Sequence, residues 1–176
     1  MPLIHLETAI SAPVERVFDL ARSIDAHTSS AESTSERAIA GRTSGMIELD
    51  ETVTWEARHF GIKQRLTVRI TEFERPTMFA DEMTRGAFRS MRHCHRFSSD
   101  GDVTKMRDEF EFSAPFGILG RIAERLFLTR HMTGFLERRN QVLKRMAESN
   151  EWRHFITLGT EQDAGHQPLT LGELKP

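Results

Sequence analysis

Two histidines, His93 and His95, stand one residue apart in strand-like sequence, so their side chains share a face. Asp81 and Asp108 fall at matching parity on the neighbouring strand-like runs. A turn near Ala87 sets Asp81 opposite His93, and a turn at Asp100-Gly101 sets His93 opposite Asp108, which puts the imidazole between two carboxylates. Those neighbours, if ionised, favour its charged form. His93, Asp81 and Asp108 are therefore the catalytic candidates: a general acid or base, or a polar anchor for a ligand carbonyl or hydroxyl. The same trio can equally be a structural ion pair that satisfies inward polar groups. His93-x-His95 with Asp81 or Asp108 also offers nitrogen and oxygen ligands. Cys94 points to the other face, however, and neither a metal nor a cofactor is expected. His59, beside a turn at Gly61, either lines a cavity entrance or bonds to backbone. His131 shares a helix face with Leu128 and Phe135 and is either a cavity residue or a satisfied core histidine.

Other chemistry lacks its motifs: there is no G-x-x-x-x-G-K-S/T loop, no G-x-S-x-G elbow and no H-E-x-x-H. At 176 residues the chain fits one domain with a sizeable core. Its net charge of −2, with acids and bases interspersed, implies no nucleic-acid partner. A single cysteine excludes an internal disulfide framework, and neither a leader-like N-terminus nor an apolar run of membrane-spanning length is present, so a cytoplasmic protein without integral membrane association is expected. Oligomeric state is not legible.

The elements that must position these residues read as follows. Ile4 to Ile10 alternates as a strand, and Ser11-Ala12-Pro13 opens a short helix carrying Val14, Val17, Phe18 and Ala21. Residues Asp25 to Glu36 fit either a second short helix or a loop. Strands follow at Glu36 to Arg42, Glu51 to Phe60, Ile62 to Phe73, Thr77 to Arg85, Phe88 to Phe97 and Val103 to Phe112, about seven in all with the first. An amphipathic helix then runs from about Leu119 to Ser149, with Gly134 in its middle. Its arginines and lysines, Arg138 and Arg139 among them, read as a solvated face or as a surface for an acidic partner. Residues 1–150 form the expected domain. Residues 151–176 read as a tail, docked or disordered, whose Trp152, Phe155 and Ile156 could act as a lid or plug.

The pattern predicts an α+β fold, with the long C-terminal helix laid across a curved antiparallel sheet and a cavity between them. If His59 pairs with Ile62, then Trp55 opposes Leu66 and Val53 opposes Val68, and the apolar residues share one face. That face continues through Phe79, Asp81 and Met83, through Met91, His93, His95 and Phe97, and through Met106, Asp108, Phe110 and Phe112. Of these, Trp55, Leu66, Val68, Phe79, Asp81, Met83, Met91, His93, His95, Met106, Asp108 and Phe110 are the expected cavity wall, with His59 and with Leu128, His131 and Phe135 from the helix. The opposite face gathers Arg65, Arg69, Arg92, Lys105 and Glu109 and is expected to be solvated.

The order and spacing of Ala12-Pro13-x-Glu15-x-Val17-Phe18-Asp19, Val53-x-Trp55-x-Ala57-Arg58-His59-Phe60-Gly61, Ile70-x-x-Phe73-x-x-Pro76-x-x-Phe79-x-Asp81-Glu82, Gly86-x-Phe88, His93-x-His95-x-Phe97 and Pro115-x-Gly117 resemble the SRPBCC (START/polyketide cyclase-like) superfamily in its bacterial ligand-binding branch. The resemblance covers about residues 3–148 and implies a helix-grip fold: seven antiparallel strands wrapped around a long C-terminal helix, with one or two short helices after the first strand. It also implies a partner that is a hydrophobic small molecule (lipid, polyketide or aromatic) and, in some branches, cyclase or dehydratase activity. It carries no fixed catalytic set, and none is transferred.

Three functions stay open. The first is binding or carriage of an apolar molecule oriented by His93, His95 and Asp81. The second is a cyclase, dehydratase or hydrolase using His93 as acid/base. The third is an interaction module whose cavity is collapsed onto its own Met and Phe side chains.

Overall fold

A computed structural model of the chain describes residues 2–31, 35–59, 61–115 and 127–156. The N-terminal alternation forms β1 (Leu3–Ile10), with Ile4, Thr8 and Ile10 buried. Pro13 caps α1 (Val14–Ala21), where a fixed φ and a missing N–H cost nothing. The segment left open between helix and loop is a helix, α2 (Ile24–Ser30). Ser23 starts it, its hydroxyl accepting the Ala26 N–H at 3.2 Å.

Six strands follow: β2 (Arg37–Gly41), β3 (Thr52–His59), β4 (Ile62–Glu74), β5 (Met78–Arg85), β6 (Ser90–Asp100) and β7 (Val103–Ser113). They form one seven-stranded antiparallel sheet in the order β1-β7-β6-β5-β4-β3-β2. The tight turn at Gly61 (φ 77°) sets His59 against Ile62, Trp55 against Leu66 and Val53 against Val68, as expected. A shift between Ile70 and Glu72 in β4 lets both Ile70 and Phe73 reach the concave side.

The strand boundaries fall within one residue of the sequence reading except at β6. β6 begins at Ser90, not Phe88, and pairing runs through the polar Ser98-Ser99-Asp100 run to the last pair, Asp100↔Val103. Gly101 (φ 61°) supplies the positive φ wanted at the first central position of a two-residue hairpin turn, so the turn is Gly101-Asp102. His93 accordingly opposes Phe110, and His95 opposes Asp108: a shift of two residues, which keeps every side chain on its face.

The final helix, α3, is described over Thr129–Glu148. The part expected from Leu119 to Leu126, with Pro115-x-Gly117 leading into it, lies largely outside the described residues. Its buried face is apolar (Met132, Phe135, Leu136, Leu143, Met146 and Ala147) but also includes Arg139 and Asn140. Arg139 is thus not on the solvated face where its sequence neighbours place it.

Gly134 lies on the other side of α3. A Cβ there would meet only the Arg138 guanidinium, at 3.3 Å, and that side chain is exposed and free to move. No close approach to a ligand requires the glycine, so Gly134→Ala is expected to raise stability by roughly 0.5–1 kcal/mol, read from the urea midpoint.

Phe18 is the hub of one end of the core. It is fully buried and meets Phe73, Phe79 and Phe97 edge-on at centroid distances of 5.5, 5.5 and 5.3 Å. Beyond α3, a 3₁₀ turn (Glu151–His154) buries Trp152 under the Arg16 guanidinium, 4.5 Å from the ring, and Ile156 is buried with it. This start of the tail docks on the core and not over the cavity. Residues 157–176 lie outside the described residues.

Asp19, buried on α1, takes Arg75 at 2.7 and 3.1 Å and Arg22 at 2.8 Å. Burial opposes its charge, but the two guanidiniums outweigh burial and hold its pKa below the usual carboxylate value. A depressed folded pKa contributes stability above the unfolded value of about 4 that is lost as pH falls through the folded one. Asp19→Asn is expected to cost about 2 kcal/mol at neutral pH and to flatten the fall in stability below pH ~4. Urea melts of both proteins at pH 7, 4 and 3 test this; parallel wild-type and variant curves would contradict it.

Candidate functional site

Between the concave face of the sheet and α3 lies a cavity of about 280 Å³. Strand alternation supplies one wall: Trp55, Leu66, Val68, Phe79, Met91 and Phe110 all face it, as expected. α3 and the turn before it supply Leu128, His131 and Phe135. Three expected wall residues stand elsewhere. Met106 is fully buried, opposite Phe97 at the end that Phe18 fills. Met83 sits beneath Gly86, its sulfur 2.7 Å from where a Cβ would stand. Asp108 is fully buried behind the two histidines instead of beside the ligand space. The register sets His59 opposite Ile62, but its side chain lies outside what is described.

Part of the cavity wall, on β5 and β6, is polar. The β5–β6 register places Asp81 directly opposite His93, as expected, and all three of Asp81, His93 and His95 line the space. The link to Asp108 survives the two-residue shift because it is diagonal: His93 Nε2 lies 3.0 Å from Asp108 Oδ1, across neighbouring strands. His95 Nδ1 lies 2.7 Å from the same oxygen, outside hydrogen-bond alignment. Asn140 Nδ2 donates to Asp108 Oδ2 at 2.6 Å, and an Arg139 guanidinium nitrogen is 4.0 Å from Oδ1. One carboxylate from β7 therefore holds two side chains of β6 and two of α3.

The electrostatics follow from burial. His93 is pushed down to about 4, chiefly by desolvation and also by its neighbour His95, against the pull of Asp108. His95 moves down for the same first reason. Burial also opposes the charge on Asp108, but the imidazoles and their hydrogen bonds hold its pKa well below the usual carboxylate range. At neutral pH the state is an ionised Asp108 accepting from a neutral His93, with a neutral His95 beside it, not the charged imidazole that the sequence led one to expect. Asp81, part-buried and without a hydrogen bond among the described residues, is raised by desolvation.

A second polar group reaches the cavity from α2 and from Glu36, the residue before β2. His27 stacks on Trp55 with centroids 4.1 Å apart, and its Nε2 lies 3.5 Å from Glu36 Oε2. The sequence reading did not find His27, Glu36, Arg139 or Asn140. For His27 the signal was present in Ser23, a helix-capping residue that puts His27 one turn along the helix. For Arg139 and Asn140 it was not, because nothing local marks a polar residue whose partner is on a distant strand.

Seven antiparallel strands curved around one C-terminal helix, with a largely apolar cavity between, define a helix-grip protein of the ligand-binding kind. The family model for polyketide cyclase / dehydrase and lipid transport matches residues 1–148, and the chain belongs to that family, within the START-like SRPBCC superfamily. Solved structures share the fold. TTHA0849 from Thermus thermophilus has a TM-score of 0.69 at 19% identity, over 83% of this chain and 97% of that one. Major latex-like protein 151 from Panax ginseng has 0.64 at 10% identity, over 84% and 98%. A START superfamily protein from Mycobacterium smegmatis has 0.62 at 10% identity, over 83% and 97%. No curated protein matches the sequence. Among the described residues no helix is long and apolar enough to cross a membrane.

Proposed function

We propose that this protein binds a hydrophobic small molecule in the space between sheet and α3, with a polar group of the ligand set against Asp81, His93 and His95. The cavity carries this reading: its volume of about 280 Å³ is near the lower end for small-molecule sites, and most of the residues lining it are apolar, four Phe and Trp55 among them. Each ligand CH2 buried there contributes roughly 0.8 kcal/mol, while the polar wall fixes orientation. A cavity of this size speaks against the collapsed interaction module. The reading with His93 as acid/base has the right location, but a histidine held near 4 is a poor proton donor at neutral pH. Binding is therefore the better supported function.

Native mass spectrometry of freshly purified protein, followed by denaturing extraction, is the test. A stoichiometric apolar adduct is expected. A ligand at about 100 times its Kd would add about 2.7 kcal/mol of stability, visible as a shift in Tm of several degrees. A clean apo mass, with no thermal shift across a panel of fatty acids and aromatic compounds, would overturn the proposal.

A further inference from the structure

We propose that Asp81, His93 and His95 form a binding site for a divalent transition-metal ion, with Asp108 orienting both imidazoles from behind. One donor atom from each of the three lies within 4.8 Å of the others. The sheet creates this: Asp81 faces His93 across the β5–β6 ladder, and His95 is two residues along the same strand face. Metal bonds of roughly 2.0–2.2 Å need donors about 3.0–3.5 Å apart, so binding draws the three side chains together by about 1–2 Å. Two imidazoles and one carboxylate favour Zn, Fe(II), Co, Ni or Cu over Mg or Ca, and no cysteine is needed for such a set.

The surroundings match what a metal-bound histidine requires. Such imidazoles are usually held through the non-ligating nitrogen by a carboxylate. Asp108 Oδ1 is hydrogen-bonded to His93 Nε2 at 3.0 Å and stands 2.7 Å from His95 Nδ1 outside hydrogen-bond alignment; a ring rotation of His95 that aligns this second contact would leave His93 Nδ1 and His95 Nε2 as the lone-pair donors. Asn140 fixes Asp108 in turn. Arg139, the nearby cation, is set against Asp108.

A purely structural network accounts for His93, His95, Asp108, Arg139 and Asn140, but it leaves Asp81 unexplained. That carboxylate is part-buried on the cavity wall, opposite a histidine, with no hydrogen bond among the described residues. A cation supplies its missing partner. Three protein ligands also leave coordination positions open toward the cavity.

The experiment uses full-length protein, stripped of metal and of any apolar ligand, titrated with Zn2+ and Co2+. Native mass spectrometry reads stoichiometry, and the visible Co2+ bands read coordination. One ion per chain is expected. His95→Gln and Asp81→Asn should weaken binding at least 100-fold, and Asp108→Asn by about 10–100-fold with stoichiometry kept. Circular dichroism checks that each variant is folded. Should a variant unfold, X-ray absorption of the Zn2+-loaded wild type decides instead, through the signature of two imidazoles. The absence of a stoichiometric ion at 100 µM, or binding that Asp81→Asn and His95→Gln leave unchanged, would overturn the site; the eight histidines of the chain offer weak surface binding that behaves in this second way. Because the protein is ligand-free, the outcome is independent of whether an apolar molecule binds.

Discussion

Asp108→Ala is expected to lower the unfolding free energy by about 3–5 kcal/mol, a large part of the roughly 5–15 kcal/mol that stabilises an ordinary domain. Asp108 has no exposed surface, and four side chains converge on it: His93, His95, Arg139 and Asn140. Truncation leaves the guanidinium of Arg139, a residue only 7% exposed, without its carboxylate, and leaves Asn140 Nδ2 only Thr8 Oγ1 at 3.4 Å. The large cost comes from desolvated groups that lose their partner, not from the pair's net worth. Asp108→Asn keeps the shape and one acceptor but loses the charge, so about half the effect is expected. Replacing both residues, Asp108→Leu with Arg139→Leu, should recover only the part of the loss due to the stranded guanidinium, since His93 Nε2 and Asn140 Nδ2 still lose their acceptor. Urea unfolding with an unchanged m-value measures all three. A loss below 1 kcal/mol for Asp108→Ala would mean that Arg139 finds water, and the wall would not be the tightly coupled unit described above.

Phe18→Ala is expected to cost about 3–5 kcal/mol for a different reason. The ring is fully buried, and its three edge-on aromatic partners come from β4, β5 and β6. Removing it forfeits the transfer free energy of the ring and opens a void that three rigid rings cannot collapse to fill. The void would lie behind Phe79, which also lines the ligand space, so the variant should admit larger apolar ligands even as it loses stability. Phe18→Leu should cost about 1–2 kcal/mol by keeping most of the volume. Equal ligand-size profiles for Phe18→Ala and wild type would show that Phe79 seals the two spaces from each other.

Much of this was legible in the chain because it is local. The two-residue period of β3 and β4, with a glycine able to take positive φ between them, is sufficient to set Trp55 against Leu66. The spacing of Asp81 and His93 about a short turn was enough to oppose them. At β6–β7 the polar run Ser98 to Asp102 left the turn ambiguous by one residue at its centre, and a shift of that kind moves each pair by two positions without changing faces. The face of Asp108 could therefore be read, while its direct opposite could not.

What the sequence alone determined is the alternation, the turns and the apolar stripe, since each depends on neighbours a few residues away. Only the tertiary structure decided the depth and company of the site. It put Asp108 behind the histidines instead of beside the cavity, drew Arg139 and Asn140 inward from α3, and brought His27 of α2 and Glu36, just before β2, to the cavity. It also reversed the charge expectation, because desolvation leaves both imidazoles neutral although carboxylates stand beside them. Burial and partnership depend on how distant elements pack, and no period along the chain records the rotation of a helix against a sheet.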